Sequence, residues 1–100
     1  MALEIKENKG LFEVIGRITS QNVNALRVYF NSVLEINDSI VVSIEKVVEM
    51  DSSAAHFFEN LYKEAASNNR VVSIIGRQNE EVSKIMVATK TDYILSPDRV

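Results

Sequence analysis

The 100-residue chain has no cysteine and no tryptophan, a single proline, a single histidine and three glycines. Without thiols there is no disulfide framework, no thiolate metal centre and no cysteine nucleophile, and a reducing compartment is the expected setting. Glycines at positions 10, 16 and 76 compose neither the P-loop nor the dinucleotide-binding pattern, so no nucleotide fingerprint is present. One histidine leaves any metal site to oxygen ligands. The acids, Glu80-Glu81 included, lack the alternating spacing of a calcium loop. No apolar run approaches the ~20 residues that span a bilayer; Ile40-Val41-Val42 is typical. Basic residues are the minority, 11 Lys+Arg against 14 Asp+Glu for a net charge of −3. With no basic cluster, a nucleic-acid partner is not expected. The first residues, Met1 to Glu7, lack a basic stretch followed by an apolar one, so no secretion signal is read and a cytoplasmic location is expected.

What is present is an ordinary globular composition, 46% hydrophobic and 25% charged. The length fits one domain over residues 1–100, burying roughly two thirds of the surface its unfolded chain exposes.

Leu3 and Ile5, then Leu11, Val14, Ile15 and Ile18, form two apolar segments around Asn8-Lys9-Gly10, where Gly10 can take a positive φ. This predicts a β-hairpin of strands 2–7 and 11–18. The period then changes: Val23, Leu26, Phe30, Val33 and Leu34 share one helix face, with Thr19-Ser20 in the N-cap position and a stop near Asn37-Asp38. Ser39 to Ile44 is short, β-branched and almost uninterrupted, which predicts a strand buried on both faces. A second helix follows Asp51, with Ala54, Phe58, Leu61, Tyr62 and Ala65 inward and Glu59, Asn60, Lys63 and Glu64 facing water. Ser67-Asn68-Asn69 ends it. Val71 to Ile75 reads as another buried strand, Gly76 to Asn79 as a loop, and Val82, Ile85 and Met86 as the inner face of a third helix whose first turn Glu80 and Glu81 complement. Tyr93-Ile94-Leu95 predicts a short last strand. The order ββαβαβα(β) implies a single α/β domain, a mixed sheet of four to five strands covered by three to four helices.

Catalytic constellations are sparse. His56 lies three residues after Ser53, within one helical turn, but no acid is read as orienting it and nothing supplies an oxyanion hole. Phe57, Phe58 and Tyr62 read as core. No catalytic residue, cofactor or metal is expected, and the chain is not read as an enzyme. What remains is Glu49-Met50-Asp51-Ser52-Ser53-Ala54-Ala55, a strand exit running into a helix start. An acid or serine there caps a helix, worth about 1 kcal/mol. A serine hydroxyl at the same place also suits a phosphoryl group, favoured by the helix dipole.

Along its whole length the chain resembles the STAS domain, the family of bacterial anti-sigma factor antagonists. Phe12-Glu13-Val14-Ile15-Gly16-Arg17-Ile18 is similar to the family's strand and Gly-x-Leu step. Val41 to Ser53 is similar to the strand entering its Asp-Ser-Ser-Gly loop, and Val71 to Gly76 to the later strand that ends in glycine. Ala54 stands where the loop glycine is usual, Thr19 where the step has an acid, and Ser43 where the central strand commonly has aspartate. The resemblance implies that Ser53, with Ser52 secondary, is phosphorylated by a partner that is both anti-sigma factor and serine kinase of the histidine-kinase-like ATPase type. It implies further that a phosphatase can reverse the mark, and that Asp51, Ser52, Ser53, Ala54 and His56 form the partner-binding loop. Two other roles known for such domains stay open on the same resemblance: an accessory subunit of a lipid-trafficking ABC transporter, and a component of a stress-signalling scaffold.

Overall fold

The computed structural model describes residues 3–96. Strands β1 (Glu4–Asn8), β2 (Leu11–Ile18), β3 (Ser39–Met50) and β4 (Val71–Ile75) lie side by side in chain order. The β1–β2 pair is antiparallel and the other two are parallel. Helix α1 (Val23–Ile36) joins β2 to β3, α2 (Ser52–Ser67) joins β3 to β4, and α3 (Glu80–Ala88) follows β4.

The hairpin forms where expected, with Asn8 paired to Leu11 across a two-residue turn. Both turn residues have positive φ, 53° at Lys9 and 86° at Gly10, the combination that matches the twist of the flanking strands. Gly16, at φ 105°, sits where the β2–β3 register slips. Such slips demand backbone conformations that glycine adopts without a Cβ clash.

Alternation along β2 and β4 sends one set of side chains to the core. Register places Ile5, Phe12, Val14, Val42 and Ile74 on the same face as Ile40 and Val72. Phe12 meets Phe30 of α1 edge to face at 6.0 Å, and Leu26, Phe30, Phe58, Val82 and Met86 are fully buried from the helix side. Each such side chain contributes about 1.5–3 kcal/mol of burial. Helix α1 packs on α2 and α2 on α3.

The opposite face, carrying Leu11, Glu13, Ile15 and Arg17 of β2, is half-exposed to exposed. Cross-strand ion pairs decorate it, Glu13–Lys46 at 3.3 Å and Arg17–Glu49 at 3.4 Å. Ser39 and Val41 are therefore not buried as a two-sided strand requires, and Val71 of edge strand β4 is 57% exposed. Strand β3 also runs six residues past the expected Ile44. Its second half pairs with β2 through two register slips, which disturb the alternation that marks a strand.

Three further expectations change. The residue directly before α1 is Asn22, which makes no side-chain cap bond, while Thr19 three residues earlier keeps part of the expected role, its Oγ1 accepting from the Gln21 amide at 3.2 Å and its carbonyl from the Val23 amide at 2.9 Å. The Asn22 side chain accepts from the Thr19 amide at 2.9 Å and donates to Arg17 O at 2.9 Å, tying the connecting turn. On α2, Ala55 joins the buried face beside Phe57, which lies in the core as expected, while Tyr62 and Glu59 are half-buried. Tyr93-Ile94-Leu95 is no strand. Asp92–Ile94 is a 3₁₀ turn, and Leu95 makes one parallel bridge to Ile74.

Candidate functional site

The edge formed where β3 becomes α2 is set by Asp51. Its amide donates to Ile18 O at 3.2 Å, continuing the β2–β3 ladder by one bond. Its backbone is extended, and its carboxylate divides between two amides. Oδ1 accepts from Ala54 N at 3.1 Å, capping the helix, and Oδ2 accepts from Ser20 N at 3.0 Å, from the turn entering α1. One side chain thus fastens the starts of both helices together, as an acidic N-cap satisfies amides that the first turn leaves unpaired.

Directly after this clamp, Ser52 and Ser53 are exposed in the first turn of α2. Ala54 is fully buried. Its methyl group, standing where the family loop has glycine, faces the core and leaves the outer surface of the loop unobstructed. The side-chain contacts of this site therefore come from its neighbours, with Ala54 filling space beneath them.

His56 does have an orienting acid, contrary to the reading from sequence: its Nδ1 lies 3.5 Å from Glu59 Oε1, one turn further along α2. Glu59 also accepts from Tyr93 Oη at 2.5 Å and lies 3.6 Å from Lys63 Nζ. The Tyr93 hydrogen bond, then Lys63 and His56, hold the Glu59 carboxyl below the usual glutamate range against a smaller opposing effect of burial. Tyr93 is pushed up, chiefly by its bond to Glu59, and Lys63 is raised by Tyr93 and Glu59. The i,i+3 and i,i+4 spacings of His56, Glu59 and Lys63 were open to reading. Tyr93, brought in by a turn 34 residues away in the chain, was not.

Ser53 and His56 are not joined by a hydrogen bond; the imidazole is engaged with Glu59. Among the described residues no group of three or more His, Cys, Asp or Glu side chains could hold a metal, and no helix is long and apolar enough to cross a membrane. A cavity of about 580 Å³ opens between the C-terminal halves of α1 and α2, lined among others by Asn31, Leu34, Leu61 and Ala65. It does not reach Asp51 or the serines.

A four-stranded mixed sheet in the order β-β-α-β-α-β-α, with a capped, serine-bearing helix start at the C-terminal end of β3, defines a small α/β domain of the SpoIIAA-like fold. The chain belongs to the STAS domain family, whose model matches residues 1–97. Among solved structures it is similar to an anti-sigma factor antagonist from Mycobacterium paratuberculosis, with TM-score 0.72 and 12% identity over 99% of this chain and 86% of that one. It is also similar to the anti-sigma factor antagonist SpoIIAA in its unphosphorylated form, with TM-score 0.63 and 12% identity over 85% of this chain and 82% of that one. An uncharacterised DUF3478 protein with a SpoIIAA-like fold from Shewanella loihica PV-4 matches with TM-score 0.51 and 17% identity, covering 97% and 81% of the two chains. No curated protein matches the sequence.

Proposed function

We propose that this domain is a regulatory binding module of the anti-sigma factor antagonist type, switched by phosphorylation in the first turn of α2. The observation that carries this reading is the pair of exposed hydroxyls at Ser52 and Ser53, set immediately after a clamped, fully bonded Asp51. In the unmodified state the loop and α2 dock on an anti-sigma factor that is also a serine kinase of the histidine-kinase-like ATPase type. The kinase transfers the γ-phosphoryl group of ATP to Ser53 Oγ, releasing ADP and the hydroxyl proton. The product carries a charge near −2 beside Asp51. In a dry interface such a dianion must be desolvated, which costs several kcal/mol unless a partner cation meets it. Since about 1.4 kcal/mol is tenfold in affinity, partial mispairing is enough to release the partner by two orders of magnitude.

The test is a parallel capture from source-organism lysate with wild type and Ser53→Glu as baits. The reading predicts a histidine-kinase-like ATPase on wild type alone, and that this ATPase with ATP adds one phosphoryl group to wild type but none to Ser53→Ala. Equal recovery of ABC-transporter components on both baits would replace it with the transport role and reduce Ser53 to a surface position on a capped helix.

A further inference from the structure

Arg27 of α1 is exposed and forms no ion pair with an acid among the described residues. Its guanidinium carbon lies 5.8 Å from the centre of the Phe57 ring of α2, while Nη1 donates to Asn24 Oδ1 at 2.8 Å. Arg27 stands beside Phe57, and further along the same seam Asn31 and Leu34 of α1 and Leu61 and Ala65 of α2 line one cavity. The two helices therefore run in the same direction. Asn24 lies one turn N-terminal to Arg27, so its hydrogen bond draws the guanidinium toward the helix starts. Ser53 lies one turn N-terminal to Phe57 on the same ridge of α2, the i,i+4 relation that makes two side chains neighbours. The two helix starts are themselves fastened together by Asp51 through the Ser20 amide.

We propose that Arg27 is the built-in counter-cation of a phosphoryl group on Ser53: on modification its guanidinium leaves the face of Phe57 and pairs with the phosphate across the α1–α2 seam. This rests on the proposed phosphorylation of Ser53 and adds how the switch is read. An exposed aromatic-stacked guanidinium is loosely held, since water screens such a contact where the cation is not desolvated. A phosphate dianion offers it bidentate, charge-assisted hydrogen bonds instead. The modified protein thus presents a paired phosphate and a withdrawn arginine, so a partner that used Arg27 loses a contact at the moment it meets the new charge. His56, the other cation-forming side chain one turn from Ser53, is already engaged by Glu59.

The experiment needs neither kinase nor partner, so its failure is separate from failure of the switch itself. Protein with phosphoserine incorporated at position 53 during translation is titrated by phosphorus NMR, alone and with Arg27→Gln or His56→Gln. A free phosphoserine loses its second proton near pH 6. With Arg27 in place the midpoint is expected about 0.5 pH unit lower than in Arg27→Gln, an exposed opposite charge giving less than the full effect of a buried one. The gap should close in about 1 M salt, where screening reaches contact distance. His56→Gln should leave the midpoint where wild type has it. Equal midpoints in wild type and Arg27→Gln, with both amide spectra folded, would overturn the proposal. So would a shift abolished by His56→Gln instead.

Discussion

Replacing Asp51 separates the two bonds that its carboxylate makes. In Asp51→Ala the Ala54 amide loses its side-chain acceptor but keeps a backbone bond to the carbonyl of residue 51 at 3.1 Å. The cap loss therefore falls near the middle of the usual 0.5–2 kcal/mol, about 1 kcal/mol. The Ser20 amide loses a bond to a charged acceptor, ordinarily about 1.5–3 kcal/mol. Because this amide is exposed, water takes up part of that, leaving about another 1 kcal/mol. The sum, about 2 kcal/mol, corresponds to a fall in Tm of about 8–16 °C for a domain of this size. Asp51→Ser should recover about half, because a hydroxyl can cap Ala54 but is too short to serve Ser20 as well. Urea denaturation followed by far-ultraviolet circular dichroism gives the three values on one scale. An Asp51→Ala variant within 0.5 kcal/mol of wild type would refute the clamp. So would an Asp51→Ser variant as unstable as alanine, which would mean that the Ser20 bond carries nearly all of it.

Gly76→Ala would bring a Cβ to 2.6 Å from Ile44 Cγ1 and 3.2 Å from its Cδ1, both in the closed core. Overpacking of this kind costs about 1–3 kcal/mol, and in an Ile44→Ala background the same change should cost measurably less; additive penalties in the double-mutant cycle would sink this account. Tyr93→Phe removes the largest influence holding the Glu59 carboxyl down, so carbon NMR should find Glu59 titrating nearer its ordinary value of about 4.3. The sign follows from linkage. A depressed folded-state value stabilises the fold at pH above the unfolded one, and that contribution disappears as pH falls through the lower folded value. Wild type should therefore lose this increment in acid and Tyr93→Phe should show less of it. An unchanged Glu59 titration would remove Tyr93 from the cluster.

Much of this architecture was legible because its signals are local. The hairpin turn, the apolar spacing of α1 from Val23 to Leu34 and the Asp51 cap each depend on residues within one turn or one strand pair. The second half of β3 was illegible for a physical reason: slips against Glu13 to Arg17 break its inside-outside alternation, so Glu45 to Met50 carries no strand period. Tyr93-Ile94-Leu95 has strand-forming residues, yet the pairing available at the β4 edge is a single bridge, and the chain turns as a 3₁₀ segment instead. At the site, the Asp-Ser-Ser order exposed the cap and the hydroxyls. Arg27 beside Phe57 and Tyr93 on Glu59 depend on packing between distant segments, which no spacing encodes.

Strand β4 covers only Ser39 to Ser43 of β3, leaving the remainder of the longer strand with β2 on one side. On the other side, the two N–H groups of the Asn79 amide are shared among three carbonyls of the β3 strand, Ile44 O at 3.2 Å, Glu45 O at 3.0 Å and Val47 O at 2.8 Å, while its Oδ1 caps α3 through Val82 N. A bare run of strand carbonyls is a template on which another chain can add a strand. Here one side chain occupies those acceptors, and the same residue starts the helix that follows. Part of the cover over this overhang and the start of α3 thus hang on one asparagine, so losing that side chain would bare strand carbonyls and uncap a helix at the same time, on the strand that leads into the serine loop.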